Sequence, residues 1–105
     1  MKPVAYYDEY GCERLKVDLE FQCAAFFIEV DVRTPGYVDE ILFNIEGTLN
    51  GSIDEYECTG NSFTIHLAGQ RASLQCEYND DVFLEMNSSD LKEILLAWRP
   101  LVLPK

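Results

Sequence analysis

Residues 40–58 read EILFNIEGTLNGSIDEYEC, and the fold depends on how this stretch is taken. Ile41, Phe43 and Ile45 alternate with Glu40, Asn44 and Glu46, the period-two pattern of a strand with one apolar side. Asn50-Gly51 follows, the strongest short hairpin signal in the chain. A type I′ turn needs positive φ at both central residues, and Asn and Gly tolerate that best. The expectation is a hairpin pairing about 40–49 with 52–58.

The same alternation extends in both directions. A first strand is expected over Val4 to Tyr10, closed by Gly11. Leu15, Val17, Leu19 and Phe21 then alternate with Lys16, Asp18, Glu20 and Gln22, and Phe26, Ile28, Val30 and Val32 alternate with Glu29, Asp31 and Arg33. The inward parity changes across Gln22–Ala25 without a Gly, Pro or Asn, so either a β-bulge or a tight hairpin is implied there. Thr34-Pro35-Gly36 is a break. Beyond Thr59-Gly60-Asn61, further strands are expected at Phe63–Leu67, Ala72–Tyr78 and Val82–Met86.

The C-terminus changes period. Leu91, Ile94, Leu95 and Trp98 lie at i, i+3, i+4 and i+7, an apolar stripe on a helix. Asp90 and Glu93 have the spacing of a capping box, and Pro100 ends the run because it has no N–H and restricts Arg99. The expected architecture is α+β: an antiparallel, meander-like sheet of about seven strands, single or folded over as a sandwich, with a short helix at about 90–99. At 105 residues the chain has room for one core, so 1–105 is read as one domain.

Charge is the outlier of the composition. Nineteen Asp and Glu against eight Lys and Arg give a formal net charge of −11. Residues 1–60 carry 13 acids and 4 bases, residues 61–105 only 6 and 4. Such a field opposes nucleic acid and anionic membrane surfaces and draws in cationic partners. Cys12, Cys23, Cys58 and Cys76 match no C-x-x-C pattern, and the N-terminus has no signal-peptide core. Reduced cysteines in a cytoplasmic protein are therefore expected, with Cys23 and Cys76 packed as small hydrophobes.

The residues suggest little chemistry. His66 is the only histidine and falls on the polar side of Phe63-Thr64-Ile65-His66-Leu67, leaving a dyad with Cys58 or Cys76 as the one nucleophilic arrangement to test. No P-loop, dinucleotide fingerprint or nucleophile elbow is present, and no cofactor or metal is expected. The acids are more informative. Glu20, Glu29, Asp31, Glu40 and Glu46 take outward positions in the expected strands, and Asp54, Glu55, Tyr56 and Glu57 lie across the Asn50-Gly51 turn. In one sheet they would form a single carboxylate face. Like charges opposite one another cost stability, so such a face would point to a basic partner.

In size, acidity, β-rich layout and the terminal helix Ser89-Asp90-Leu91-Lys92-Glu93-Ile94-Leu95-Leu96-Ala97-Trp98, the chain resembles the small immunity proteins of bacterial contact-dependent growth inhibition and related polymorphic toxin systems. The resemblance implies a cytoplasmic inhibitor that covers a cognate toxin domain, often a basic nuclease; the chain itself is expected to be a monomer or weak dimer. A small enzyme with carboxylate or Cys–His chemistry and an accessory or scaffold subunit are the other two classes to weigh.

Overall fold

The computed structural model describes residues 2–102. Strands β1 (Val4–Tyr7) and β2 (Glu13–Lys16) form a hairpin, followed by a short 3-10 turn at Leu19–Phe21. Two helices come next, α1 (Gln22–Asp31) and α2 (Pro35–Asn50). Strands β3 (Glu55–Thr59), β4 (Phe63–Ala68), β5 (Arg71–Cys76) and β6 (Phe83–Asn87) then make an antiparallel meander in the order β3-β4-β5-β6. Helix α3 (Ser88–Trp98) and a 3-10 turn at Arg99–Leu101 close the described chain.

The α+β class, the antiparallel sheet and the C-terminal helix are as expected, but there are six strands among the described residues, in sheets of two and four. The stretches 26–31 and 40–49 are helical. Ile28 and Val32, like Ile41 and Ile45, are four residues apart, and that spacing lies on one face of a strand and of a helix alike. The deciding positions are the intervening ones. Helix α1 buries Ala24, Phe27, Ile28 and Asp31 at i, i+3, i+4 and i+7 and leaves Phe26 more than half exposed. Helix α2 buries Val38, Ile41, Ile45 and Thr48 and leaves Phe43 at 71% exposure.

The ends of α2 carry its own signals. Thr34 is the N-cap, its Oγ1 accepting the Tyr37 N–H at 3.2 Å, and Pro35 occupies the first turn, where its missing N–H costs nothing. Asn50-Gly51 is the helix end and not a hairpin. Gly51 has φ 85° in the left-handed region, whereas no non-glycine described residue, Asn50 included, has positive φ. Below the cap, Ile53 folds back over Gly47 so closely that a Cβ there would sit 2.3 Å from Ile53 Cδ1. The chain then enters β3.

In the four-stranded sheet, Phe63, Ile65, Leu67, Ala72 and Leu74 are fully buried, and the three helices pack on that side. The β1–β2 hairpin rests on α1 and α3. Helix α3 begins at Ser88, two residues before the expected start. Its N-cap is Asn87, with no side-chain cap bond, and Asp90 lies in its first turn. Cys23 and Cys76, expected in the core, are half-buried, and all four cysteines are free. No helix among the described residues is long and apolar enough to cross a membrane.

The junction between α1 and α2 is tied down from two directions. Asp31, buried at the end of α1, accepts the Ser62 N–H at 3.1 Å and the Phe63 N–H at 3.0 Å. The next residue, Val32, offers its carbonyl to the indole N–H of fully buried Trp98 at 2.7 Å. Removing the Asp31 carboxylate would leave two largely buried donors without an acceptor. Asp31→Ala is expected to cost about 2–3 kcal/mol, read as a lowered urea midpoint.

Candidate partner-binding surface

The side of the meander away from the helices is an open face. Its residues follow from strict alternation with the buried set. Glu55, Glu57 and Thr59 come from β3, Thr64 and His66 from β4, Arg71, Ser73 and Gln75 from β5, and Phe83 and Glu85 from β6. The middle strands make a half-exposed floor of Thr64, His66, Ser73 and Gln75, with the acids at its two margins. Glu57 lies opposite His66 in register, and Glu55 Oε1 is 2.8 Å from His66 Nε2. Thr64 donates to Glu77, and Arg71 pairs with Glu85 at 3.1 Å. Arg71 is the one Lys or Arg on this face among the described residues.

The acids nominated from sequence do not form one patch. Glu55 and Glu57 lie on the open sheet face, and exposed Asp54 adjoins them at the entry to β3. Tyr56 points to the opposite, core side, where its hydroxyl donates to the Glu40 carboxylate on α2. Glu46 is paired with Lys92 of α3. Glu29 accepts the Leu15 N–H at 2.7 Å and lies 3.6 Å from Arg14, so it clips β2 to α1. Asp31 is the buried tie already described, and Glu20 is exposed in the 3-10 turn before α1. The set disperses because Glu29, Asp31, Glu40 and Glu46 stand on helices, where a shared strand parity no longer means a shared face. Glu77 and Glu85, which do belong to the open face or its margin, were not nominated. Their signal was the alternation of 63–67, 72–76 and 83–87, followed on its polar side.

The Cys–His arrangement does not form. Cys58 pairs with Ile65 and Cys76 with Phe63, both core-facing partners, while His66 is on the open side. Cys58 instead takes part in a polar cluster beneath β3, where the Tyr37 hydroxyl donates to its Sγ at 3.6 Å. Burial, followed by the hydrogen bond to Cys58, pushes the Tyr37 hydroxyl well above the ordinary tyrosine value. Burial, followed by the bond to Glu40, does the same to Tyr56. At neutral pH both phenols are therefore fixed donors that hold α2 against the inner side of β3. Among the described residues no group of three His, Cys, Asp or Glu side chains is placed to hold a metal ion.

Helices α2 and α3 are also joined at their far end. Arg99 grips Asp39 through Nε at 2.7 Å and Nη2 at 2.8 Å, and these hydrogen bonds hold the Asp39 carboxyl below the ordinary aspartate value. The two carboxylates at opposite ends of exposed Phe43, Asp39 and Glu46, are thus both engaged with bases of the C-terminal segment. Each is already paired within the chain, with its side chain still about half exposed.

Comparison with protein-family models, with curated proteins and with solved structures gave no match.

Two pH effects follow. The lowered Asp39 value means that its contribution is complete above the ordinary aspartate range and disappears as pH falls through its folded value. Asp39→Asn should therefore flatten the loss of stability below about pH 4, read as urea midpoint against pH. The raised Tyr37 and Tyr56 values act at the other limit. Above about pH 10 unfolded tyrosines ionise while these two resist, so stability falls as pH rises. Tyr37→Phe is expected to reduce that alkaline slope.

Proposed function

We propose that this chain is an immunity-type binding protein that captures and neutralises a basic protein domain, such as a nuclease toxin, at the acidic open face of its sheet. One observation carries the reading: the way the positive charges are placed. Of the seven described Lys and Arg residues, Arg14, Arg33, Arg71, Lys92 and Arg99 each pair with acids of the chain itself, while exposed Lys2 and Lys16 have no salt bridge among the described residues. Asp54, Glu55 and Glu57 are exposed with no Lys or Arg bridged to them. The one basic side chain bonded to them is His66, whose Nε2 lies 2.8 Å from Glu55 Oε1.

Nuclease domains hold the phosphate backbone with Lys and Arg, so an antidote to one is best made anionic. Matched charge accelerates encounter and fixes orientation, while the half-exposed floor of Thr64, Ser73 and Gln75 with exposed Phe83 beside it supplies a surface that can pack. In this reading the inhibitor acts in the cytoplasm, binds protein in place of nucleic acid or membrane, and needs no cofactor. The structure favours binding over Cys–His catalysis, since the two cysteines nearest His66 in sequence face the core.

The test is to isolate the protein at low salt with whatever it holds in its native cells and to identify the bound chain. A basic domain encoded next to this gene is expected, with an association rate that falls steeply between 50 mM and 500 mM salt. Glu55→Gln combined with Glu57→Gln should slow association by about tenfold and change dissociation less. A partner that is acidic, or whose association is indifferent to salt, would overturn the reading.

A further inference from the structure

The open face ends at β3, and that strand has a free edge. Its hydrogen-bonding parity follows from the turn beyond it. The Gly60 N–H donates to the Phe63 carbonyl at 2.7 Å, so 60 and 63 form a hydrogen-bonded pair. In an antiparallel ladder such pairs alternate with non-bonded ones. Counting back along the register, Cys58–Ile65 and Tyr56–Leu67 are bonded, while Glu55, Glu57 and Thr59 turn their N–H and C=O groups away from β4. Among the described residues, β3 has no neighbouring strand on that outer side. Glu55, Glu57 and Thr59 are all exposed, so the edge is open along its length.

We propose that β3 is a docking edge that takes up an extended segment of the basic partner as a fifth strand, with Lys or Arg at alternate positions. The choice of occupant rests on the reading of this chain as a binder of basic proteins. Three amide–carbonyl sets would supply the backbone bonds, and every second side chain of the incoming strand would stand beside Glu55 and Glu57 on the open face. The underside of β3 is held by Tyr56 on Glu40 and Tyr37 on Cys58, so the edge is pre-formed.

Charge argues against a second copy as occupant. Antiparallel pairing of β3 about its own centre would set Glu57 against Glu57 of the other copy, with Asp54 and Glu55 close by. The opposite edge, β6, is less suited to a cationic strand because its Glu85 is already paired with Arg71.

The experiment uses the intact isotope-labelled protein and a capped ten-residue peptide of alternating Lys and Val, at low salt. Slower amide exchange is expected at Glu55, Glu57 and Thr59, with Tyr56 and Cys58 unchanged because their amides already bond to β4. Glu57→Pro removes one outward N–H and leaves the ladder bonds in place, and it should weaken peptide binding at least tenfold. Thr59→Pro is the second variant, in case the first disturbs the strand. Glu57→Gln should weaken binding only two- to threefold. No peptide binding, or binding that leaves the three edge amides exchanging at their free rates, would overturn the docking edge. Perturbation confined to His66, Ser73 and Gln75 would overturn it too, while leaving the basic-partner reading standing. Edge protection that appears without peptide as protein concentration rises would mean self-pairing and would equally overturn it.

Discussion

The arrangement of the layers depends on the short passage between the first two helices. Asp31 ends α1 inside the protein and holds the backbone of the β3–β4 turn, and Val32 immediately after it holds the indole of Trp98. Residues distant in sequence are thereby brought to one point: the end of α1, the tip of the β3–β4 hairpin and the last turn of α3. A buried carboxylate is tolerated when backbone donors surround it, and here the donors are those that a tight turn would otherwise leave without partners. Arg33 adds a cationic cover over the Trp98 ring at 5.6 Å.

From that point the placement of charge follows. Helix α2 leaves the junction with Thr34 as its cap and runs beneath β3, where Glu40 receives the Tyr56 hydroxyl. Its outer acids, Asp39 and Glu46, meet Arg99 and Lys92 on the C-terminal segment. The helical layer therefore balances much of its own charge internally. The sheet does not. Its open face carries Arg71 as its single described Lys or Arg, and the acids of β3 stand at an edge with no strand beside it among the described residues. The β3 margin is thus an exposed acidic patch on the sheet of a chain whose net charge is −11.

Much of the second half was legible in the residues. The alternation of 63–67 and 72–76 and the stripe of Leu91, Ile94, Leu95 and Trp98 each have one reading, and the structure contains them. The first half was ambiguous for a definite reason. Apolar residues four apart, as at Ile28 and Val32 or Ile41 and Ile45, satisfy both periods. Phe26 and Val30 in the first pattern and Phe43 in the second were false members, since all three are exposed. Phe27 and Val38, both fully buried, were the residues that distinguished the two. Asn50-Gly51 deepened the ambiguity, since a left-handed glycine serves a helix end as well as a hairpin.

By itself the sequence determined that this is a small acidic α+β protein with an antiparallel sheet, a C-terminal helix stopped at Pro100 and a surplus of carboxylates in its first sixty residues. Those properties depend on composition and on local period, which need no knowledge of distant contacts. Only the tertiary structure decided which acids are available. Asp31 is taken by the turn at 62–63, Glu29 by the Leu15 amide, and Glu46 and Asp39 by bases far along the chain. Each of these partners is set by packing between elements and not by neighbours in sequence. On the sheet, Glu55 and Glu57 remain open, where strand parity turns both their side chains and their backbone toward solvent, with exposed Asp54 just before them.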